Sequence, residues 1–208
     1  ASHGGICVGE DGASHQMLED FALMRVIPNM RVIVPADGME MREIMHAAVN
    51  TDGPFYIRTS RMKFPVIYPE GADFRIGKGS ILREGTDVSI IAAGLMVSES
   101  LKAAKVLAEK GISARVVNMS TLKPIDVELI VDCARRTGAI VTAEEHSVIG
   151  GLGSAVCEVA AANCPVPVKT IGIEDRFGMS GKSDELLACY GLQAPDIVKA
   201  VEETVRRK

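Results

Sequence analysis

The sequence predicts an α/β protein built of two open, mostly parallel sheets that are flanked by helices. Short apolar runs typical of buried strands alternate along the chain with segments whose apolar residues recur at helical spacing. Residues 63–82, rich in Pro and Gly and without a sustained period, divide this alternation into two parts. With 208 residues, 47% of them hydrophobic and 24% charged, the chain can form a buried core.

The first part, residues 1–62, alternates two predicted helices with two predicted strands. Asp37 and Glu40 have the side chains of a capping box that opens the second helix. The predicted elements are a helix over residues 15–25, a strand over 30–34, a helix over 40–50 and a strand over 55–59. Because the chain starts without Met inside its most polar segment, we expect this first domain to be truncated at its N-terminus.

The second part, residues 83–208, continues the alternation. Gly111 closes its first helix, and Pro195 lies at a first-turn position of its last. Strands are predicted over residues 87–93, 114–119, 139–144 and 168–173, and the later helices over 126–136, 153–162, 183–190 and 196–206. Such alternation indicates a mostly parallel sheet with helices on both faces.

Charge and cysteine content argue against several classes of function. The formal net charge is −4 and the only basic run is residues 206–208, so we predict no nucleic-acid partner. No apolar stretch approaches the roughly 18 residues of a membrane span, so we predict no membrane partner. The five cysteines are scattered without a Cys-x-x-Cys pair, which argues against zinc and disulfides and favours the cytoplasm.

A polar loop near the start of the chain is the strongest candidate for a functional site. Residues 9–16, with His3 ahead of them, hold imidazoles and carboxylates between glycines that let a ligand approach the backbone. We predict a pocket for a phosphorylated sugar, with Arg61 and His3 at the phosphate, Asp11 on hydroxyls and His15 near the reacting carbon. The alternative is a structural hydrogen-bonded loop in which Arg61 forms an interface ion pair.

A second feature is the Gly-Gly-Leu-Gly sequence of residues 150–153, which follows a strand and opens a helix as a dinucleotide-binding turn does. The acidic pair Glu174 and Asp175 ends the next strand at the spacing expected for a ribose contact. The third glycine of that fingerprint would fall at Val156, however. We therefore favour a helix start that needs close backbone packing over a dinucleotide site.

A third feature is a cluster of two carboxylates and an imidazole, Glu144, Glu145 and His146, at the end of a predicted strand. These residue types suit metal binding or acid–base chemistry. Adjacent strand residues alternate between faces, however, and cannot all point at one ion. We therefore predict a hydrogen-bond network at the end of the strand.

Several motifs together carry a family resemblance over essentially the whole chain. Those of the first part are residues 8–16, Pro28-Asn29, Gly53-Pro54 and Thr59-Ser60-Arg61. Those of the second part are residues 121–126, 145–146, 150–153 and 180–187. The first set resembles the later half of the pyrimidine-binding domain of transketolases, and the second resembles their C-terminal domain. The resemblance implies a partial pyrimidine-binding domain at 1–62, a linker at 63–82 and a C-terminal domain at 83–208.

The resemblance implies an enzyme that transfers a two-carbon ketol unit between sugar phosphates in the pentose phosphate pathway, with thiamine diphosphate and a divalent metal, Mg or Ca. By position, His3 and Arg61 match phosphate contacts, and Asp11 matches a residue that binds a substrate hydroxyl. His15 matches an active-site imidazole near the reacting carbonyl. The family's activating glutamate and its diphosphate and metal site precede Ala1, so we expect this chain alone to be inactive and to bind neither cofactor nor metal.

The resemblance also implies partners. We expect sugar phosphates as substrates, and association as a homodimer, with an N-terminal transketolase portion or subunit, or with both. One alternative is a section of an enzyme that resembles deoxyxylulose-5-phosphate synthase. Another is a dimerisation or assembly module with no chemistry of its own.

Overall fold

The computed structural model describes residues 1–208 as an alternation of eight strands and seven α-helices. The strands are β1 (Arg31–Ile33), β2 (Phe55–Ile57), β3 (Ser80–Arg83), β4 (Val88–Ala92), β5 (Ala114–Asn118), β6 (Thr121–Lys123), β7 (Ile140–Ser147) and β8 (Val168–Ile173). The helices are α1 (Asp20–Val26), α2 (Gly38–Val49), α3 (Met96–Glu109), α4 (Val127–Thr137), α5 (Leu152–Asn163), α6 (Ser183–Cys189) and α7 (Ala194–Val205). A kinked 3₁₀-helix, Ile6–Asp11, precedes α1.

The larger sheet has five strands in the order β3-β5-β4-β7-β8. All of its pairings are parallel except that of β3, which lies antiparallel to β5 at one edge. β4 and β5 are buried along their whole length, including the polar residues Ser89, Arg115 and Asn118, as central strands of a sheet covered on both faces are. The predicted α/β class with mostly parallel sheets flanked by helices is confirmed.

The smaller sheet has three strands in the order β2-β1-β6 and joins the two parts of the chain. β1 pairs in parallel with β2, and its other edge pairs antiparallel with β6, which comes from the second part. Val32 and Ile33 of β1 are fully buried as a result. The boundaries 1–62, 63–82 and 83–208 stay a prediction, and the structure adds backbone pairing between the outer two segments.

Three elements differ from the sequence prediction. The first helix begins at Asp20 rather than residue 15, because the backbone of residues 17–18 serves neighbouring segments: Gly5 N–H donates to Met17 O (3.0 Å) and Ser147 N–H to Leu18 O (2.8 Å). β3 begins inside the stretch expected to be a connection. β6 was not predicted, since its three residues are a strand only through pairing with β1.

The predicted cap of α2 also fixes the connection that follows β2. Asp37 Oδ1 accepts from Glu40 N–H at 2.8 Å, as expected of an N-cap. The other oxygen of Asp37 accepts from the backbone N–H of Ile67 (2.6 Å) and Tyr68 (2.8 Å). Glu40 reaches the N–H of Ala36 (2.7 Å) rather than that of Asp37. The middle of the predicted linker is therefore held against the first part by one carboxylate.

None of the helices combines the length and the apolarity needed to cross a bilayer. All five cysteines are free, and two of them, Cys7 and Cys133, are buried.

Candidate functional site

The polar loop near the start of the chain packs against a second loop, residues 176–183, from the far end of the chain. Gln16 is 6% exposed, and its amide donates to Ile6 O and Gly9 O of the 3₁₀-helix, each at 3.2 Å, and to Met179 O at 2.9 Å. Ser180 Oγ donates to Glu10 O at 2.6 Å. One buried amide thus positions both loops, so the candidate site is built from both parts of the chain.

Asp11 and Arg61, predicted for the same pocket, contact each other. Arg61 Nη1 donates to Asp11 Oδ2 at 2.7 Å and to Val8 O at 2.8 Å. Both side chains remain open to solvent, at 45% exposure for Arg61 and 46% for Asp11. Fifty residues of sequence separate the partners, and the end of β2 brings them together.

The two histidines of the prediction form no hydrogen bond with this pair. His3 Nδ1 shares a hydrogen bond with Ser2 Oγ and His15 Nδ1 with Ser14 Oγ, each at 3.0 Å. Both histidines are exposed. Their roles at the phosphate and near the reacting carbon therefore stay predictions.

A cavity of about 310 Å³ opens between the two loops. Its walls come from the 3₁₀-helix, from the segment after β2 and from the start of α6. The lining residues are Cys7, Val8, Gly9, Glu10, Arg61, Met62, Gly181, Lys182 and Ser183. The cavity is therefore walled by both parts of the chain and includes Arg61 of the predicted set.

Arg58, a residue that sequence reasoning missed, anchors a buried ionic network behind the pocket. Its side chain is 4% exposed, its Nη1 lies 3.5 Å from Asp20 Oδ1 and its Nη2 donates to Glu145 O at 2.8 Å. Its guanidinium stacks 4.4 Å from the ring centre of Phe21. Tyr56 Oη donates to the other oxygen of Asp20 at 2.7 Å. This network ties β2, α1 and β7 together.

Glu145 connects this network to the 3₁₀-helix. Its Oε1 accepts from Cys7 N–H at 2.7 Å. Burial raises the pKa of Glu145, and the nearby Arg58 cation opposes that shift. A side chain at Gly5, where φ is +90°, would overlap both Glu145 and Arg58. The Gly4-Gly5 pair was the sequence signal that could have pointed to a large buried side chain packed against the backbone.

Glu144 occupies the N-terminus of α5. Its two carboxylate oxygens accept from Leu152 N–H at 2.7 Å and Gly153 N–H at 2.8 Å. A carboxylate of the chain itself thus fills the place where a dinucleotide's phosphate would bind. Residues 150–153 form a closely packed helix start, as favoured from the sequence, and the dinucleotide alternative has no support here.

His146 is held in its neutral form. Its Nε2 lies 3.1 Å from the backbone N–H of Phe21, which can only donate, so this nitrogen accepts. Its Nδ1 lies 2.6 Å from Ser147 O and therefore carries the proton. Burial also lowers the pKa of His146. The predicted hydrogen-bond network at the end of β7 is confirmed, and the chain contains no group of three or more His, Cys, Asp or Glu placed to hold a metal ion.

Two family models match the chain. Residues 1–66 match the transketolase pyrimidine-binding domain, and residues 77–197 match the transketolase C-terminal domain. The second match alone covers more than half of the chain.

The chain belongs to the transketolase family.

Individual transketolase relatives agree with this assignment. A transketolase C-terminal section of Methanocaldococcus jannaschii is 49% identical over 211 residues, which cover 100% of this chain and 66% of that relative. A 6-deoxy-6-sulfo-D-fructose transketolase subunit of Clostridium sp. strain MSTE9 is 46% identical, covering 98% of this chain and 63% of the subunit. A solved structure described as a split gene transketolase, inactive β4 tetramer, has a TM-score of 0.94 at 51% identity. That match covers 99% of this chain and 66% of the solved one, so the chain spans just under two thirds of these relatives.

The glycine-rich turn before α5 gives a direct test of close packing. Gly151→Ala places a Cβ that overlaps Glu144 Oε2 and lies 2.7 Å from His146 Nδ1. We expect the free energy of unfolding to fall by about 1–3 kcal/mol, as for overpacked cores. Gly38→Ala is the matched control, because its Cβ meets nothing within 4 Å at the first position of α2. It should stabilise by about 0.5–1 kcal/mol in the same urea titration, and equal effects of the two changes would contradict this account.

Proposed function

We propose that this chain is the C-terminal section of a thiamine-diphosphate-dependent transketolase, which transfers a two-carbon ketol unit between sugar phosphates. The proposal rests on the cavity that Arg61 lines, in a chain of the transketolase family. Asp11 forms an ion pair with Arg61. Both side chains are half exposed and offer unused hydrogen-bonding atoms to a ligand. A place in the pentose phosphate pathway and a cytoplasmic location are part of the same proposal.

Arg61 is suited to hold the substrate phosphate. Only its Nη1 makes hydrogen bonds within the chain, to Val8 O and Asp11 Oδ2. Nη2 and Nε keep their donors, and a guanidinium edge matches phosphate oxygens in a bidentate manner. His3, which is exposed near the N-terminus, would add a third donor at the same phosphate.

Asp11 and His15 are suited to the carbon chain of the sugar. Asp11 Oδ1 makes no hydrogen bond within the chain and can accept from a substrate hydroxyl. His15 uses Nδ1 toward Ser14, which leaves Nε2 free to hydrogen-bond the reacting carbonyl or to move a proton there. We propose that Asp11 selects hydroxyl configuration and that His15 is the catalytic imidazole.

The residues present do not fit the cofactor's metal-diphosphate part. No set of three metal-ligating side chains converges anywhere in the chain. The backbone N–H groups at the start of α5, the best candidate for a phosphate, are taken by Glu144. Thiamine diphosphate and its Mg or Ca ion are therefore proposed to be held by the rest of the enzyme.

An exposed apolar face supports association with other chains. Leu23, Val26 and Ile149 are 60%, 78% and 62% exposed. Arg25 donates to Gly150 O at 2.6 Å and so joins α1 to the turn that carries Ile149. Apolar side chains grouped at a surface are typical of interfaces. We propose that the working enzyme contains two copies of this chain together with an N-terminal transketolase portion.

Reconstitution tests the proposed function. This chain combined with a transketolase N-terminal section, thiamine diphosphate and Mg²⁺ should transfer a ketol unit from a ketose phosphate to an aldose phosphate. The chain alone should show no turnover and no micromolar thiamine diphosphate binding in calorimetry. Condensation of pyruvate with glyceraldehyde phosphate would instead support the deoxyxylulose-5-phosphate synthase alternative. An assembly that forms but has neither activity would support the assembly module.

In the reconstituted enzyme, Arg61→Gln tests whether Arg61 binds the substrate phosphate. It should raise KM for phosphorylated substrates by about tenfold or more, since a charge-assisted contact to phosphate is lost. KM for the corresponding free sugars should change little. The control is Arg75→Gln, which removes a more exposed arginine–aspartate ion pair, with both Arg75 and Asp73 74% exposed, away from the cavity. If both variants behave alike, Arg61 does not bind the phosphate.

A further inference from the structure

We propose that Lys182, from the loop before α6, binds the substrate phosphate together with Arg61. The inference rests on the proposed function and adds a substrate contact from the C-terminal part of the chain. Lys182, from the loop before α6, and Arg61, from the segment after β2, line the same cavity of about 310 Å³. The phosphate would then be held between the two parts rather than by the first part alone.

Side chains on both sides of Lys182 hydrogen-bond to the 3₁₀-helix Ile6–Asp11. Two residues before Lys182, Ser180 Oγ donates to Glu10 O at 2.6 Å. One residue after Lys182, Ser183 Oγ donates to Cys7 O at 3.0 Å. A Cβ at Gly9 would lie 3.3 Å from Gly181 O, so the two loops are in contact at this point. Lys182 therefore extends from an anchored segment of the cavity wall.

Lys182 is the cation of the cavity lining that forms no ion pair. The lining contains three residues with a formal charge, Glu10, Arg61 and Lys182. Arg61 is partly neutralised by Asp11 at 2.7 Å. Lys182 has no carboxylate within 4.0 Å, although the chain forms many such pairs elsewhere. Glu10 adds a negative charge to the same lining, but it forms no ion pair with Lys182, whose ammonium group remains available to an anion that enters the cavity.

A phosphate monoester needs such a second cation. It carries a charge of about −1.5 to −2 at neutral pH. Arg61 has already spent part of its charge on Asp11. An ammonium group on a flexible stem complements the rigid guanidinium fork, because it can follow a phosphate whose position changes with sugar length.

Two substitutions at Lys182 test this inference in the reconstituted assembly. Lys182→Gln should raise KM for phosphorylated substrates about tenfold, with kcat and KM for free sugars nearly unchanged. Lys182→Arg, which keeps the charge, should restore most of the affinity. Lys105→Gln, at an exposed position on α3, is the matched control and should have no effect.

A phosphate titration of the 208-residue chain gives a readout that does not need turnover. Inorganic phosphate should shift the NMR signals of residues 181–183 in the unsubstituted chain, and Lys182→Gln should weaken that binding about tenfold. Unchanged KM in Lys182→Gln beside a raised KM in Arg61→Gln overturns the inference and leaves the proposed function standing. If the assembly shows no ketol transfer, the proposed function fails. In the phosphate titration, an unchanged phosphate affinity of Lys182→Gln overturns the inference about Lys182 whatever the assembly does.

Discussion

Arg58→Met is expected to lower the free energy of unfolding by about 3–5 kcal/mol, the range measured when one partner of a buried ion pair is removed. Asp20, only 2% exposed, would keep the hydroxyl of Tyr56 but lose its cation. Glu145 O would lose its donor from Arg58. Urea denaturation followed by circular dichroism measures the effect.

The matched control for Arg58 is an arginine whose ion pair lies at the surface. Arg42 and Glu70 form a pair at 2.6 Å with 58% and 75% of their side chains exposed. Arg42→Met should cost less than about 1 kcal/mol, because solvent screens such pairs. A loss below 1 kcal/mol for Arg58→Met as well would mean that the network behind the pocket does not stabilise the fold.

Glu144→Gln is expected to change how stability depends on pH. Burial raises the pKa of Glu144 to about 7, against the opposing effect of its two backbone donors. An unfolded glutamate titrates near pKa ~4.3. Between these values the folded state holds the extra proton, so the free energy of unfolding falls as pH rises, by up to about 1.4 kcal/mol per pH unit.

Comparison with the variant isolates this contribution. The free energy of unfolding of the unsubstituted chain minus that of Glu144→Gln should decrease by as much as about 3 kcal/mol between pH 4.5 and pH 7. Glu40 and Glu145, whose pKa values are also raised by burial, remain in both proteins. Glu109→Gln, at an exposed position of α3, should give a pH-independent difference. A flat difference for Glu144→Gln would show that its carboxylate stays ionised in the folded state.

Short-range chemistry made much of the fold predictable. Asp37 caps α2 as expected, because a cap depends on residues only three apart. The apolar residues that dominate β4, and the Val116-Val117 pair of β5, also predict buried parallel strands. β6 could not be predicted in this way, because Thr121–Lys123 is a strand only where it meets β1, nearly ninety residues earlier in the chain.

The site was predictable to the same extent. Asp11 and Arg61 were expected in one pocket, and the end of β2 brings them within 2.7 Å. Arg58, three residues earlier, was missed because arginine is seldom buried and its partners come from α1 and β7. The position of Lys182 in the cavity wall was missed because its loop is far in sequence from the 3₁₀-helix that it packs against.

The pairing of β6 with β1 has a consequence for how the chain folds. Without the second part, β1 would have an unpaired strand edge, and without the first part, β6 would have no strand to pair with. The molecule should therefore unfold as a single cooperative unit. The contacts across this sheet, more than the covalent continuity of residues 63–82, make the two parts one domain in the thermodynamic sense.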